Sequence, residues 1–232
     1  MVWVRLFDLA AAMGQVFGRT GVAEPAYEVL YKNSENFSYE IRKYGVRYVA
    51  EASYSGDDNS PFMLLAKYIG VFGNPENEGQ KAISMTAPVI KESGTKIAMT
   101  APVMKSDSQQ GGLKVMDFVL PAEYDSMEKI PKPTNPAVKI KEIPAAVGAV
   151  HRFSGSMEDN VSREMAKELA TQLEKDGVDM SVEHALENYQ FWGYNPPFTL
   201  PMFRRNEVWI ELEQSQVDAI LKNEAGATTS VN

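Results

Sequence analysis

Two stretches of the chain align with each other without a gap: YEIRKYGVRYVAEASYSG at residues 39–56 and VKIKEIPAAVGAVHRFSG at residues 138–155. Their identity is low, but Ile41 coincides with Ile140 and both stretches end in Ser-Gly. In each half a helical pattern follows this pair, and strand-like segments flank the helix. The order strand, strand, helix, strand, strand thus occurs twice. It predicts an α+β fold in which two pseudo-symmetric ββαββ halves curl into a barrel with the helices on its outside.

The two predicted helices have recognisable ends. The first begins near Pro61, with Ser60 as its cap, and ends at Ile69 before Gly70. The second closes at Asp176-Gly177 and has an apolar residue at every turn of one face. That face consists of Val161, Met165, Leu169 and Leu173.

A pentapeptide is also repeated: Met85–Val89 recurs without change at residues 99–103. The segment between the copies is apolar at both ends and contains the turn-forming pair Ser93-Gly94. This pattern predicts a β-hairpin in which the copies lie side by side and antiparallel. Because each proline removes a donor from the ladder, such strands fit an edge or a bulge better than a sheet centre. The repeat is predicted to be architectural, since none of its residues is an obvious catalyst.

Composition narrows the range of functions. The chain has 31 acidic and 23 basic residues and a formal charge of −8, which opposes binding to a phosphate backbone, so no nucleic-acid partner is expected. The absence of cysteine excludes disulfides, thiolate nucleophiles and cysteine metal sites. With only His151 and His184 in the sequence, a histidine-rich metal centre is not expected.

The two ends of the chain differ from its middle. Residues 1–20 form an extension in which apolar residues recur at helical spacing, which predicts an amphipathic helix over Val2–Phe17. The main domain is predicted at 25–213, followed by a flexible tail at 214–232. No stretch is long and apolar enough to cross a bilayer, and the N-terminus has neither secretory nor transit character. The cytoplasm is therefore the expected location.

Motifs spread over nearly the whole chain occur in the order found in one known family. On these motifs the chain resembles the SOUL haem-binding proteins, and the doubled pentapeptide is similar to the plant, algal and bacterial branch. The resemblance implies a distorted antiparallel β-barrel of eight or nine strands with two external helices. For this branch it also allows a plastid location as the alternative. The motifs are Tyr39–Tyr44, the helix with Tyr68-Ile69-Gly70, Met85–Val89, Arg152–Gly155, Gly193–Pro201 and Arg204–Val208.

The resemblance implies binding of haem or a related tetrapyrrole in an apolar surface groove. The groove would lie between the first helix and the loop before the last strand. A porphyrin requires a broad apolar slot and cations for its propionates, and Arg204 and Arg205 could supply charge besides the groove residues. Those groove residues are Met63, Ala66 and Lys67 on the helix and Pro197, Phe198, Pro201 and Met202 on the loop.

The chain differs from the family at the position of a proposed iron ligand. In one animal member a histidine in the Tyr-Glu-Ile-Arg segment is proposed as axial ligand, and this chain has Lys43 there. Lysine is a poor ligand at neutral pH because its amine is protonated. His151 is expected to support the sheet, and His184 to lie in a polar surface loop. The metal ligand is therefore unknown: haem would bind weakly, without a histidine, or through methionine or tyrosine. An iron-free tetrapyrrole or another planar apolar ligand is equally allowed.

Three functions follow from this sequence. The first is a non-enzymatic tetrapyrrole binder that acts as a buffer, carrier or sensor. The second is a hydrolase of small reactive molecules, because the barrel resembles regulator ligand-binding domains, some of whose relatives use a carboxylate in an aromatic pocket. Glu207 beside Trp209, or Glu183, could take that role, although no nucleophile–base pair is recognisable. The third is a docking protein tethered to a membrane or a protein through Val2–Phe17.

Overall fold

The computed structural model describes residues 21–34, 37–92, 114–196 and 198–229. Within these ranges nine β-strands form one antiparallel sheet and four α-helices accompany it. The strands are β1 (Tyr27–Asn33), β2 (Tyr39–Tyr44), β3 (Arg47–Tyr54), β4 (Val89–Glu92), β5 (Lys114–Val119), β6 (Val138–Ile143), β7 (Ala146–Phe153), β8 (Gln190–Gly193) and β9 (Asn206–Leu212). The helices are α1 (Asn59–Ile69), α2 (Asp159–Lys175), α3 (Val182–Asn188) and α4 (Gln214–Thr229).

The sheet order confirms the predicted pseudo-symmetry. The strands follow one another as β1-β2-β7-β9-β8-β4-β5-β3-β6. The first strand of each half pairs with the second strand of the other half, so that β2 lies beside β7 and β6 beside β3. Ile41 is thus opposite Ala149, and Ile140 is opposite Ala50. The aligned stretches of the sequence are therefore structurally equivalent, and the α+β class is correct.

The predicted barrel is not closed. In the described part of the chain, β1 pairs only with β2 and β6 only with β3, so both are edge strands. The edge strand β6 carries Lys139, Lys141 and Glu142, and charged side chains of this kind oppose pairing with a further strand. The sheet is nevertheless strongly curled, since the Tyr44 ring on β2 lies 5.2 Å from the Trp192 ring on β8 although two strands, β7 and β9, lie between them.

Helix α1 begins earlier than predicted and ends where expected. Asp58 precedes its first turn, whereas the predicted cap Ser60 lies inside the helix. Gly70 adopts φ +89° and donates its N–H to the carbonyls of Ala66 and Lys67, which closes the helix. The buried face of α1 packs on β3 and β5. Its core partners include Ala50, Ala52, Met116 and Phe118.

The C-terminal segment differs from the predicted flexible tail, because residues 214–229 form α4. Val217 and Ile220 lie three residues apart and are buried in the core beneath α2. The Ala, Thr and Ser content of this segment suggested a tail, but two buried apolar residues are enough to fix its first turns. No helix in the described ranges is both long and apolar enough to span a bilayer.

The face of the sheet opposite the helices, here called the inner face, is also buried. Alternation along β9 directs Val208 and Ile210 towards α2 and directs Glu207 and Trp209 to the inner face. Because the sheet curls, this face packs against itself and holds a third core cluster. That cluster includes Tyr44, Val49, Ile90, Val119, Val150, Trp192, Tyr194 and Trp209.

Some sequence predictions lie outside the described residues. They are the helix over Val2–Phe17, the turn at Ser93-Gly94, the second pentapeptide copy and Pro197. The first copy precedes β4 and joins the sheet only at its last residue. Within it, Thr86 forms an isolated bridge with Ala23 and donates its hydroxyl to the carbonyl of Val119.

Candidate functional site

The loop between β8 and β9 exposes an unusual amount of apolar surface. Over residues 198–203, here called the apolar loop, Phe198 is 59% exposed and Met202 is 71% exposed. Leu200 and Phe203 are also exposed, at 41% and 43%. Single exposed apolar residues are ordinary, but four in one short segment are unusual, which makes this loop a candidate binding surface.

Hydrogen bonds hold the backbone of the apolar loop in place. Arg204 donates through Nε to the carbonyl of Thr199 at 2.8 Å. The N–H of Gly155, in the turn before α2, donates to the carbonyl of Pro201 at 2.9 Å. At the base of the loop, the N–H of Arg205 donates to Oδ1 of Asn195 at 2.6 Å. The apolar side chains therefore point outwards from a fixed backbone.

The other predicted wall of the groove is helix α1. Met63 is half-buried and Lys67 is exposed one turn further on. Ala66, in contrast, is fully buried in the core beneath α1, so it supports the helix and is not available to a surface ligand. Immediately after the helix, Val71 and Phe72 are 46% and 58% exposed. They are apolar surface residues that the sequence analysis did not single out.

One half-buried lysine connects the start of α1 to the turn that is hydrogen-bonded to the apolar loop. The Nζ of Lys91 donates to Asp58 at 2.9 Å, to the carbonyl of Met157 at 3.2 Å and to Asp159 at 3.1 Å. Asp58 precedes α1, whereas Met157 and Asp159 follow Gly155 and lead into α2. The N-terminus of α1 and the anchor of the apolar loop are thus joined on one side of the molecule. A common groove between Met63 and Met202 stays a prediction.

A separate shallow groove of about 500 Å³ lies near the edge strand β6. It is open and largely apolar. None of the described residues predicted for the tetrapyrrole lines it. Its lining consists of Met127, Glu128, Ile130, Lys132, Pro133 and Ile140.

The cations predicted for the propionates are not equally available. Arg205 contacts Glu24 and Glu207, and Arg204 contacts loop carbonyls, so both already have partners. Lys67 forms no ion pair with any described residue and is exposed on α1. Lys67 is therefore the predicted cation that fits a carboxylate ligand at this surface.

The histidines have structural surroundings. His151 stacks on Phe37 with ring centroids 4.0 Å apart, and its Nδ1 lies 2.7 Å from the carbonyl of Ser38. Burial lowers the pKa of His151. His184 is exposed on helix α3 and not in a loop, because Ser181 caps that helix. Lys43 is exposed on β2. Among the described residues, no group of three His, Asp or Glu side chains is arranged to hold a metal ion.

The sequence analysis missed a buried charge network around Glu207. This side chain is fully buried, and both of its oxygens accept hydrogen bonds. Oε2 accepts from Nη1 of Arg42 at 2.9 Å and from the Tyr194 hydroxyl at 2.7 Å, whereas Oε1 accepts from Nε of Arg205 at 3.0 Å. Burial would lower the pKa of Arg42, but the charge of Glu207 outweighs this effect and raises it. A signal was present in β2, where Arg42 interrupts a buried strand.

A second group of carboxyls on the inner face lacks such pairing. Asp117 is 3% exposed and lies opposite Glu51 in the β3–β5 ladder. The Oδ1 of Asp117 has no hydrogen-bond partner among the described residues. Burial, followed by the charges of Glu92 and Glu51, raises the pKa of Asp117 well above its ordinary value. The only cation that forms an ion pair with this group is Lys141, which contacts Glu51 in the described structure.

Comparison with known proteins identifies a family by sequence. Residues 22–211 match the family model described as SOUL heme-binding protein. This match supports haem or tetrapyrrole binding at the level of the family. No curated protein sequence matches the chain.

Comparison of structures concerns the fold alone. The chain is similar to the EcmrR C-terminal domain, with 12% identity and a TM-score of 0.49 over 77% of this chain and 98% of that one. It is also similar to a hydrolase from Listeria innocua, with 12% identity and a TM-score of 0.46 over 75% and 91%. For SAV2435 bound to tetraphenylphosphonium, the identity is 9% and the TM-score 0.38 over 77% and 96%. Similarity at this level carries no information about activity or ligand.

Proposed function

Because the chain belongs to the SOUL heme-binding family, we propose that it binds haem or a related tetrapyrrole and acts as a buffer, carrier or sensor and not as an enzyme. The proposed site is the apolar surface between α1 and the apolar loop. The observation that carries the proposal is the outward display of Phe198 and Met202 from a loop whose backbone is held by hydrogen bonds. A fixed apolar surface of this kind suits a flat, rigid ligand.

In this proposal, each wall of the groove makes specific contacts with the ligand. Phe198 and Met202 contact the macrocycle from the loop, and Met63 contacts it from α1. Covering each of these side chains contributes on the order of 1–2 kcal/mol. Lys67 pairs with a propionate at the solvent edge of the helix. Pro201 shapes the loop backbone, because its carbonyl accepts the Gly155 N–H.

Iron is not the main source of affinity in this proposal. The proposed site has no histidine among its described residues, and the family's histidine position is occupied by the exposed Lys43. When haem is bound, its iron can take a ligand from a thioether, and Met63 and Met202 are the residues that offer one. We therefore expect iron-free protoporphyrin to bind within about tenfold of the affinity of haemin.

Titration of the protein with haemin tests the proposal. We expect a saturable change in the Soret band, and we expect Met202→Glu to weaken binding by about tenfold or more, because it places a carboxylate next to the macrocycle and its propionates. Met127→Glu is the matched control, since Met127 is 46% exposed and lines the separate groove near β6. Absence of a saturable Soret change in the wild-type protein, or equal weakening by both substitutions, would count against the site.

A hydrolytic role for Glu207 is not proposed. A general base requires a free lone pair within reach of the substrate, and both oxygens of Glu207 already accept hydrogen bonds from Arg42, Arg205 and Tyr194. The other acidic candidate, Glu183, is exposed in the first turn of the short helix α3.

Two further expectations complete the proposal. We place the protein in the cytoplasm, with the plastid as the alternative. The docking helix over Val2–Phe17 stays a prediction, because it lies outside the described residues. Deletion of residues 1–20 tests it, since unchanged fractionation of the shortened protein in cells would remove the docking role.

A further inference from the structure

Strand β6 directs some of its backbone hydrogen-bonding groups away from the rest of the sheet. In an antiparallel ladder, the N–H and the carbonyl of one residue point to the same neighbouring strand, and successive residues alternate between the two sides. The carbonyl of Tyr48 on β3 accepts from the N–H of Leu120, on the β5 side. The next residue, Val49, therefore points to β6, where its partner is Lys141.

The residues on either side of Lys141 consequently point to the free edge. They are Ile140 and Glu142, and each presents one N–H and one carbonyl that no strand of the described chain pairs with. The ladder between β6 and β3 has no register shift, so the alternation holds along the strand. An extended segment can pair with such an edge and add one strand to the sheet.

The two faces of β6 differ in chemistry beside this edge. Ile140 points to the face that carries α1, where it lines the shallow groove together with Met127. Met127 is 46% exposed, so apolar surface is available there. Lys139 and Lys141 point to the opposite face and are exposed, and Lys139 forms no ion pair within the described ranges. Alternate side chains of an added strand would therefore meet apolar surface and ammonium groups.

Charge decides which segment can occupy the edge. If Ile140 paired with Ile140 or Glu142 of a second copy of this chain, Lys141 would lie opposite Lys139 or Lys141 of that copy, and like charges in opposite positions are destabilising. Residues 1–20 do not fit either, because Asp8 is their only acidic residue. The lysines that oppose these partners attract an acidic strand, so they make the edge selective.

We propose that β6 is the docking site for an extended segment of a partner protein in which acidic and apolar residues alternate. The backbone of this segment pairs with Ile140 and Glu142 and adds a strand to the sheet. Its apolar side chains cover Ile140 and Met127, and its carboxylates pair with Lys139 and Lys141. The site is separate from the proposed tetrapyrrole groove, because none of these residues lies on α1 or the apolar loop.

Fluorescence anisotropy with a labelled peptide in which glutamate and valine alternate tests the proposal. We expect saturable binding to the full-length protein, and this binding should weaken as the salt concentration rises. A peptide with lysine in place of glutamate should bind at least about tenfold more weakly. N-methylation of the valine residues should have an effect of about the same size, because it removes the N–H groups that pair with Ile140 and Glu142.

Substitutions in the protein test the two faces of β6 separately. Lys139→Glu reverses the charge beside the edge and should weaken peptide binding by about tenfold or more. Lys43→Glu is the matched control, since it makes the same change at an exposed position on β2, which is paired on both sides. It should leave peptide binding unchanged. Met127→Glu places a charge in the apolar groove and should weaken peptide binding by about tenfold without affecting haemin binding.

Three results would overturn the proposal. The first is the absence of saturable peptide binding to the wild-type protein, or equal weakening by Lys139→Glu and Lys43→Glu. The second is equal binding of the N-methylated and the unmodified peptide, which would show that the segment does not add a strand. The third is an oligomer of the protein that the peptide dissociates, because the edge would then belong to a second copy of this chain.

Discussion

In the connection between β8 and β9, charged and apolar side chains are distributed in the opposite way to the usual one. We call the region around Glu207 its base and the apolar loop its tip. At the base, the charged Glu207 is fully buried and its hydrogen-bonding capacity is used by Arg42, Arg205 and Tyr194. At the tip, the apolar side chain of Met202 is 71% exposed. The base stabilises the fold, whereas the tip contributes little to folding. A buried charge network thus lies beside an exposed apolar surface, which in our proposal is the surface that the ligand covers.

The largest expected effect on stability comes from a substitution of Glu207 in the buried charge network. Glu207→Gln removes the buried counter-charge of Arg42 and Arg205, which keep only the partly exposed Glu40 and Glu24, and we expect the free energy of unfolding to fall by about 3 kcal/mol. Urea denaturation measures this change. Glu211→Gln removes the same charge from an exposed position on the same strand and should stay within about 0.5 kcal/mol of the wild type. A loss below about 1 kcal/mol for Glu207→Gln would show that the network does not stabilise the fold.

The close packing of Gly148 against β9 provides the next test. A Cβ atom on Gly148 would lie 2.5 Å from Cζ2 of Trp209 and 2.6 Å from the carbonyl oxygen of Ile210. Neither atom belongs to the free end of a flexible side chain, so Gly148→Ala should cost about 1–3 kcal/mol in the free energy of unfolding. Gly45→Ala is the control, since a Cβ atom there meets no described atom within 4 Å. Equal stability of the two variants would contradict the close packing.

The carboxyls around Asp117 should respond to pH in the opposite sense to a paired carboxylate. Because the pKa of Asp117 is raised in the folded state, the native protein binds more protons than the unfolded chain above the ordinary pKa of 3.8. Its contribution to stability is present below that pH and is lost as the pH rises through the raised pKa. Asp117→Asn should therefore be more stable than the wild type at pH 7, and this gain should disappear below about pH 4.

Thermal unfolding as a function of pH measures this difference. The exposed Asp179 provides a control, because Asp179→Asn should leave the curve of stability against pH nearly unchanged. If Asp117→Asn were less stable than the wild type at pH 7, Asp117 would be a paired, ionised carboxylate and the account of this cluster would be wrong.

The smallest effect on stability is expected at the tip. Met202→Glu should change the free energy of unfolding by no more than about 0.5 kcal/mol, because the side chain is already in water. Urea denaturation of this variant, compared with Glu207→Gln, measures the contrast between tip and base. A large loss of stability would mean that the apolar loop is a folding element and would remove the main argument for a ligand surface.

The secondary-structure elements were predicted from the sequence more accurately than the burial of the side chains that they carry. The alignment of residues 39–56 with 138–155 correctly predicted two equivalent strand pairs, because hydrophobic alternation is a local property. The same alternation separates Glu207 and Trp209 from Val208 and Ile210, but it does not tell which of the two faces is exposed to solvent. Both faces of the curled sheet are buried, so the burial of Glu207 could not be predicted from the pattern.

Other differences have the same origin in tertiary structure. Helix α4 was missed because its packing depends on two residues, Val217 and Ile220, in a segment of otherwise weak composition. Closure of the barrel depends on the pairing of edge strands, which a local pattern does not specify. Ala66 was included in the groove by family resemblance, yet helical periodicity directs it to the core. Site residues on exposed loops remain the hardest to predict, since no periodicity marks them.

The most direct test of the central claim uses the methionine methyl groups as reporters. In a protein labelled with carbon-13 at these methyls, iron-free protoporphyrin is titrated in and the methyl resonances are followed by NMR. Ring currents from a macrocycle lying between α1 and the apolar loop should shift the signals of Met63 and Met202 and leave that of Met127 in place. Unchanged Met63 and Met202 signals at saturation, or a shift of Met127 alone, would contradict the account.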